Sequence, residues 1–183
     1  MPRVVDKETL ICEKLIEMME DTSFFDIKVT DFVKFAGVSR SMFYLYFNSL
    51  YDVLQKIEDD FIDGLLSEKE VVSSTKIKRD NKIDSTIIAK TEYIKKNKKI
   101  LRVLTGKNGD PSFSARMTNR NWRLLKNSLD DNMKYSENEK RLLAEYMSAG
   151  QSQALYWWVN RENAMDIYDV LLFIESITMS LVR

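Results

Sequence analysis

Apolar residues recur along this chain mostly at steps of three and four, and valine, isoleucine and threonine never alternate with polar residues over a strand's length, so the pattern predicts helices throughout. A first helix over Asp6 to Glu20 carries Leu10, Ile11, Leu15, Ile16 and Met19 on one face. Short segments follow over Ile27 to Gly37 and Ser39 to Phe47. A longer helix from Ser49 or Leu50 to about Leu66 then presents Leu54, Ile57, Phe61, Ile62 and Leu65 as its stripe. A charged, serine-bearing loop around residues 67 to 82 precedes amphipathic helices in "STIIAKTEYIKKN" and "KKILRVL", and Gly106 and Gly109 break the chain after them. Three later helix starts are marked by caps: Asp110 before Pro111, Ser136 with Glu139 at capping-box spacing, and Asn163 before "YDVLLFIESITMSLV".

With 183 residues, 44% of them hydrophobic, the chain can bury a real core as one domain or as a small domain fused to a larger one. Its single cysteine, Cys12, sits among apolar neighbours and reads as a small buried residue in a reducing compartment. Histidine is absent, which removes the commonest general base and nitrogen ligand. Phosphate-binding glycine loops and a nucleophile elbow are missing, and the carboxylate pairs Asp59–Asp60 and Asp130–Asp131 are adjacent in sequence and so point apart on a helix. We therefore expect no catalytic residues, metal site or cofactor. No apolar run approaches the roughly 20 residues that span a bilayer, and charges interrupt the N-terminus from Asp6 onward, so a soluble cytoplasmic protein without membrane contact is expected.

The 28 basic residues balance 28 acidic ones, so nucleic-acid binding is not signalled by overall charge and must rest on local geometry. That geometry is offered by "FAGVSRSMFYLYFNS", Phe35 to Ser49. Two short helices separated by a turn at Gly37, the second opened by Ser39, make a helix-turn-helix layout. Gly37 suits a left-handed helix end, and Val38 can plug the turn. Phe43 and Phe47, four residues apart, share an inward face, which leaves Arg40, Ser41 and Tyr44 outward, Met42 near the edge and Tyr46 at the helix end. Such a face fits a major groove, with Arg40 reaching guanine or phosphate and the Ser41, Tyr44 and Tyr46 hydroxyls bonding bases or phosphates. The competing reading is a plain helical hairpin with tyrosines at a wet surface.

The stretch "FAGVSRSMFYLYFNSLYDVL" resembles the DNA-binding signature of tetracycline-repressor-like (TetR/AcrR) transcriptional regulators, with similarity from about Leu10 to Leu54. "LTGKNGDPSF" and "AGQSQALYWWV" resemble, more loosely, the C-terminal region of a Firmicutes-type subgroup. The resemblance implies an all-α fold of about nine helices, with a DNA-binding domain over residues 1–50 and a ligand-binding and dimerisation domain over residues 51–183. It also implies DNA-facing roles for Lys28, Thr30, Ser39, Arg40, Ser41, Met42, Tyr44 and Tyr46, and a palindromic double-stranded operator. Three positions depart from the family pattern. Lys28 stands where a capping threonine is usual, Thr30 where an arginine is frequent, and Leu50 where many members carry a phosphate-binding lysine. Over Met1 to Leu50 the acidic residues slightly outnumber the basic ones, which implies a shallow salt dependence, each lost phosphate contact flattening the slope by roughly one unit.

The last two helices are more apolar than lone surface helices need to be. Leu142, Leu143, Tyr146, Met147, Trp157 and Trp158 stripe the first of them, interrupted by Gly150 and Ala154, and Ile167, Val170, Leu171, Ile174, Ile177 and Leu181 stripe the second. Paired with a second copy they would make a four-helix dimer interface, as the resemblance also implies; the alternative is packing within one subunit. An unidentified small-molecule effector is implied by the family. Tyr93, Phe113, Met117, Trp122, Tyr146, Tyr156 and Trp157 are candidate pocket residues, with ordinary core as the competing role. The basic run Lys95, Lys96, Lys98, Lys99 and Arg102 reads as a solvated face. A ligand-responsive repressor is the leading expectation, beside an activator and a protein of the same fold acting through a protein partner.

Overall fold

The computed structural model describes residues 6–66, 82–128, 135–161 and 165–181, and every regular element among them is helical. Helices α1 (Lys7–Met19), α2 (Val29–Ala36) and α3 (Arg40–Tyr46) come first, with a single 3-10 turn, Phe24–Asp26, between α1 and α2. Helix α4 (Leu50–Leu65) follows, then α5 (Lys82–Lys96), α6 (Lys98–Thr105), α7 (Ser112–Ser128), α8 (Glu137–Val159) and α9 (Ile167–Leu181).

The boundaries follow from local chemistry that the sequence carries. Helix α8 opens with a full capping box: Ser136 Oγ accepts from the Glu139 amide at 3.4 Å, and the Ser136 amide donates to Glu139 Oε2 at 2.7 Å. The Asp110 carboxylate accepts from the Ser112 amide at 2.8 Å ahead of α7. At α4, Ser49 Oγ accepts from the Asp52 amide at 3.1 Å, while Asp52 Oδ2 accepts from the Asn48 amide at 3.0 Å. The Ser49 hydroxyl also donates to Asp52 Oδ1 at 2.9 Å, and this bond, followed by that from the Asn48 amide, holds the Asp52 carboxyl below its ordinary range. Ahead of α9 the Asp166 carboxylate accepts from the Tyr168 amide at 2.9 Å; the cap expected at Asn163 lies outside the described residues, as do residues 67–81 and the pair Asp130–Asp131.

One apolar cluster runs through the molecule. It begins with Ile11 and Leu15 of α1, takes in Phe32 and Phe43 of α2 and α3, passes along Leu54 and Phe61 of α4, and reaches Leu101, Phe113, Val159 and Ile167. Cys12 packs on this cluster but is only half-buried, because it stands at the edge of the α1 stripe. A smaller cluster of Leu125, Ala144 and Met147, backed by Trp122 and Leu143, closes the far end of α7 and α8. Gln151 ties α7, α8 and α9 together, accepting from Asn121 and donating to Thr178, each at 2.9 Å.

Helix α4 joins the first three helices to the rest, and its connections are polar as well as apolar. The Arg116 guanidinium of α7 clasps Glu58 and Asp59, and Arg120 reaches Asp63 at 3.2 Å. Glu58 is 1% exposed, and its Oε1 has no hydrogen-bond partner among the described residues. Burial pushes its carboxyl up from 4.5 to about 7 against the pull of Arg116, with Asp110 and Asp59 adding to the rise. From α5, the Tyr93 hydroxyl donates to the Asp60 and Phe61 carbonyls, each at 3.2 Å, over Gly64, where a Cβ would overlap the phenol. Asn108, in the loop between α6 and α7, donates to the Met19 and Glu20 carbonyls at 2.9 and 3.0 Å, and its own carbonyl accepts from Phe24 at 2.9 Å. The C-terminal end of α1 is thus closed by a residue far along the chain.

Candidate nucleic-acid interface

Helix α2 ends in a Schellman motif. Gly37 has φ 66° and ψ 30°, its amide donates to Lys34, and the Val38 amide donates to Val33 at 3.1 Å. Nothing stands near the position a Gly37 Cβ would take, so it is the left-handed backbone and not crowding that asks for glycine. Val38 is half-buried against the core, which fixes the angle at which α3 leaves the turn. Ser39 then caps α3, its Oγ accepting from the Met42 amide at 3.0 Å.

Helix α3 and its C-cap residue Phe47 separate four rings by role. Phe43 is fully buried edge-on to Phe32, with ring centroids 5.9 Å apart, and Phe47 is buried beside it. Tyr44 and Tyr46 are 44% and 40% exposed, so their phenol groups stay in solvent and escape the cost of burying an unpaired hydroxyl. Arg40 and Ser41 are exposed on the same helix, and Met42 is half-buried. The Arg40 guanidinium lies 5.6 Å from the Tyr44 ring centroid, which orients it along the outer surface.

Leu45, 77% exposed, is the residue that sequence reasoning passes over. Its signal is present in the spacing: at about 100° per residue it lies roughly opposite both Phe43 and Phe47. An exposed leucine there sets a methyl-rich contact beside the Arg40, Ser41 and Tyr44 polar groups, the kind of surface that meets a thymine methyl.

The flanks carry the three departures. Lys28 occupies the N-cap of α2 without a side-chain capping bond and is exposed, as is Thr30. Leu50 is 7% exposed and belongs to the core. At the start of α4 the Asn48 and Asp52 amides are taken by Asp52 and Ser49, so an acidic side chain stands at this helix end and buried Leu50 brings no cation to it.

The candidate pocket residues are spread over the body. Phe113 and Met117 are core, and the Phe61 ring stands between Tyr93 and Phe113, its centroid 5.8 Å from the one and 6.1 Å from the other. Tyr156 is half-buried and donates to the Ser114 carbonyl, burial pushing its phenol up to about 12. Trp122 belongs to the second cluster, whereas Tyr146 and Trp157 are exposed, with Arg161 over the Trp157 ring. The basic run is engaged locally: Lys95 with Asp166, Lys99 with Glu20, Lys98 over Trp158, and Arg102 with the Val159 carbonyl.

On α8 the apolar stripe divides. Met147, Leu155 and Trp158 face inward, while Leu142, Tyr146 and Trp157 stand exposed, as do Phe173 and Ile177 of α9. A Cβ at Gly150, on the outer side of α8, would meet nothing. Among the described residues no group of three or more His, Cys, Asp or Glu side chains could hold a metal ion, and no helix is long and apolar enough to cross a membrane.

Residues 81–179, more than half of the chain, match the TetR family model described as a transcriptional regulator C-terminal region. No curated protein matches the chain in sequence. Among solved structures, a TetR transcriptional regulator from Streptococcus agalactiae 2603V is 18% identical over 93% of this chain and 92% of its own, with a TM-score of 0.67. The dihydroxyacetone kinase operon activator DhaS is 16% identical over 97% of each chain, with a TM-score of 0.69. A TetR-family regulator from Syntrophomonas wolfei is 15% identical over 96% of this chain and 94% of its own, with a TM-score of 0.71. These identities speak to the fold: an N-terminal helix-turn-helix followed by a larger helical body.

Proposed function

Since the chain belongs to the TetR family of transcriptional regulators, we propose that it is a ligand-responsive repressor that binds a palindromic operator as a homodimer in the cytoplasm. Residues 1–50 form the DNA-binding head, and residues 51–183 form the effector-binding and dimerising body. No catalytic step enters this function. The observation that supports the reading most is the outer face of α3, where Arg40, Ser41, Tyr44, Tyr46 and Leu45 are exposed on a helix anchored by buried Phe43 and Phe47. A guanidinium, hydroxyls and a leucine on one short helix supply donors, acceptors and a methyl contact for base edges.

One α3 covers only a few base pairs, so specificity calls for two. The exposed apolar residues of α8 and α9, with open space at Gly150, suit isologous pairing with a second copy that sets two recognition helices about one DNA turn apart. An effector that prefers the spacing DNA rejects would release the operator, and a coupling of about 1–3 kcal/mol changes affinity roughly 5–150-fold. Activation by the same protein is the second reading, favoured by the likeness to an operon activator. A reporter behind the selected site separates the two by the sign of its response.

Selection from a random duplex library at moderate salt, followed by sequencing of what is retained, tests the reading. A palindrome is the expected result. Retention without any sequence motif, at low as well as moderate salt, would remove operator recognition and turn attention to a protein partner.

A further inference from the structure

We propose that the cleft between α1 and the helices α4, α5 and α6 is a binding site for an amphiphilic organic cation. The cleft holds about 410 Å³, within the range of small-molecule pockets. Its floor is apolar, formed by Ile16 of α1, Ile57 and Phe61 of α4, and Ile100 of α6. Cys12 belongs to that surface, and burial pushes its thiol up to about 12, so it contributes an apolar wall and no thiolate.

The opening is acidic. Glu13, Glu17 and Asp60 line it against a single lysine, Lys99. Lys99 is held by Glu20 at 2.6 Å, Glu17 by Lys14 at 2.7 Å, and Asp60 by Lys56 at 2.6 Å. Glu13 is exposed and makes no ion pair among the described residues. A ligand with an apolar body and a positive head therefore finds floor and counter-charge together, while an anion of the same shape meets surplus negative charge. The Phe61 and Tyr93 rings, with centroids 5.8 Å apart, add aromatic surface for the same cation.

The position gives such a ligand leverage. Helix α1 packs on α2 and α4, and α5 and α6 belong to the body, so a molecule in the cleft touches the head and the body at once. This deepens the effector-responsive reading above and rests on it for the coupling to DNA, whereas binding in the cleft stands independently.

Calorimetry on the DNA-free protein tests it with tetraphenylphosphonium and with tetraphenylborate, ions of closely similar shape and opposite charge. The phosphonium is expected to bind and the borate to bind at least tenfold more weakly. Glu13→Gln should weaken the phosphonium about two- to fivefold, the scale of an exposed ion pair, and Glu13→Lys should weaken it further. Both variants change an exposed side chain and should keep the wild-type melting temperature. Absence of phosphonium binding, equal binding of the two ions, or unchanged affinity in a folded Glu13→Lys protein would overturn the proposal. Because no DNA is present, a failed operator selection cannot be mistaken for a failed cleft.

Discussion

Replacing Glu58 by glutamine tests the junction between α4 and α7. The side chain is 1% exposed, is clasped through one oxygen by Arg116, and has its other oxygen unpartnered. Its carboxyl is raised from 4.5 to about 7, with burial as the main cause. In the unfolded chain the proton leaves near the ordinary value, so across the interval between the two the folded state holds more protons. Stability from this group is therefore present at low pH and is lost as pH rises. Integrating the linkage with these two values gives a loss of roughly 2–3 kcal/mol between pH 5 and pH 8. Glutamine keeps the volume and does not titrate, so the stability difference between wild type and variant should move by that amount, in favour of the variant at the higher pH. Urea denaturation of both proteins at several pH values measures it. Carboxyls held below their ordinary range, such as Asp52 and Asp166, act mainly below this interval and cancel in the comparison. A difference that stays flat from pH 5 to pH 8 would show that Arg116 keeps Glu58 ionised throughout and that the burial argument is wrong.

Other outcomes are expected from single sites. Arg116→Ala leaves the Glu58 carboxylate buried without its partner and should cost about 3–5 kcal/mol at pH 8, less at pH 5, by the same denaturation assay. Tyr44→Phe should weaken operator binding in a gel-shift titration while thermal stability stays within about 0.5 kcal/mol of wild type; a larger stability loss would refute its outward role. Phe43→Ala, in contrast, should cost about 3–5 kcal/mol of stability, because the ring is fully buried. Leu142→Glu with Tyr146→Glu should yield a folded monomer in sedimentation, and an unchanged dimer would place the interface elsewhere.

Much of the fold was legible because its signals are local. The Ser136–Glu139 spacing, the Asp110 cap and Gly37 each act within a few residues, and the helices start or stop there. The division of rings in α3 follows from the spacing of Phe43 and Phe47 alone. What was not legible depends on partners distant in sequence. Arg116 meets Glu58 and Asp59, and Tyr93 meets carbonyls of α4, because folded helices bring them together; no periodicity contains that information. The α8 stripe shows the same limit. Periodicity marks Met147 and Tyr146 as apolar neighbours, but only packing shows that one is buried and the other exposed. The aromatic residues grouped as pocket candidates share composition and not a location, whereas the acidic cleft is assembled from three separate stretches of chain.

The Asn108 clasp bears on how such a protein can be recombined. Its side chain closes the last carbonyls of α1 and its backbone holds the Phe24 amide, so the head is finished by a loop from the body. A head grafted onto a foreign body leaves that loop behind and carries away helix-end carbonyls with only water to satisfy them. Chimeras spliced near residue 50 should therefore fray at the end of α1 unless the recipient supplies an amide at the place of Asn108. Head and body of this protein are thus a matched set, and the match is carried by the side chain and backbone of Asn108 together with the Lys99–Glu20 ion pair.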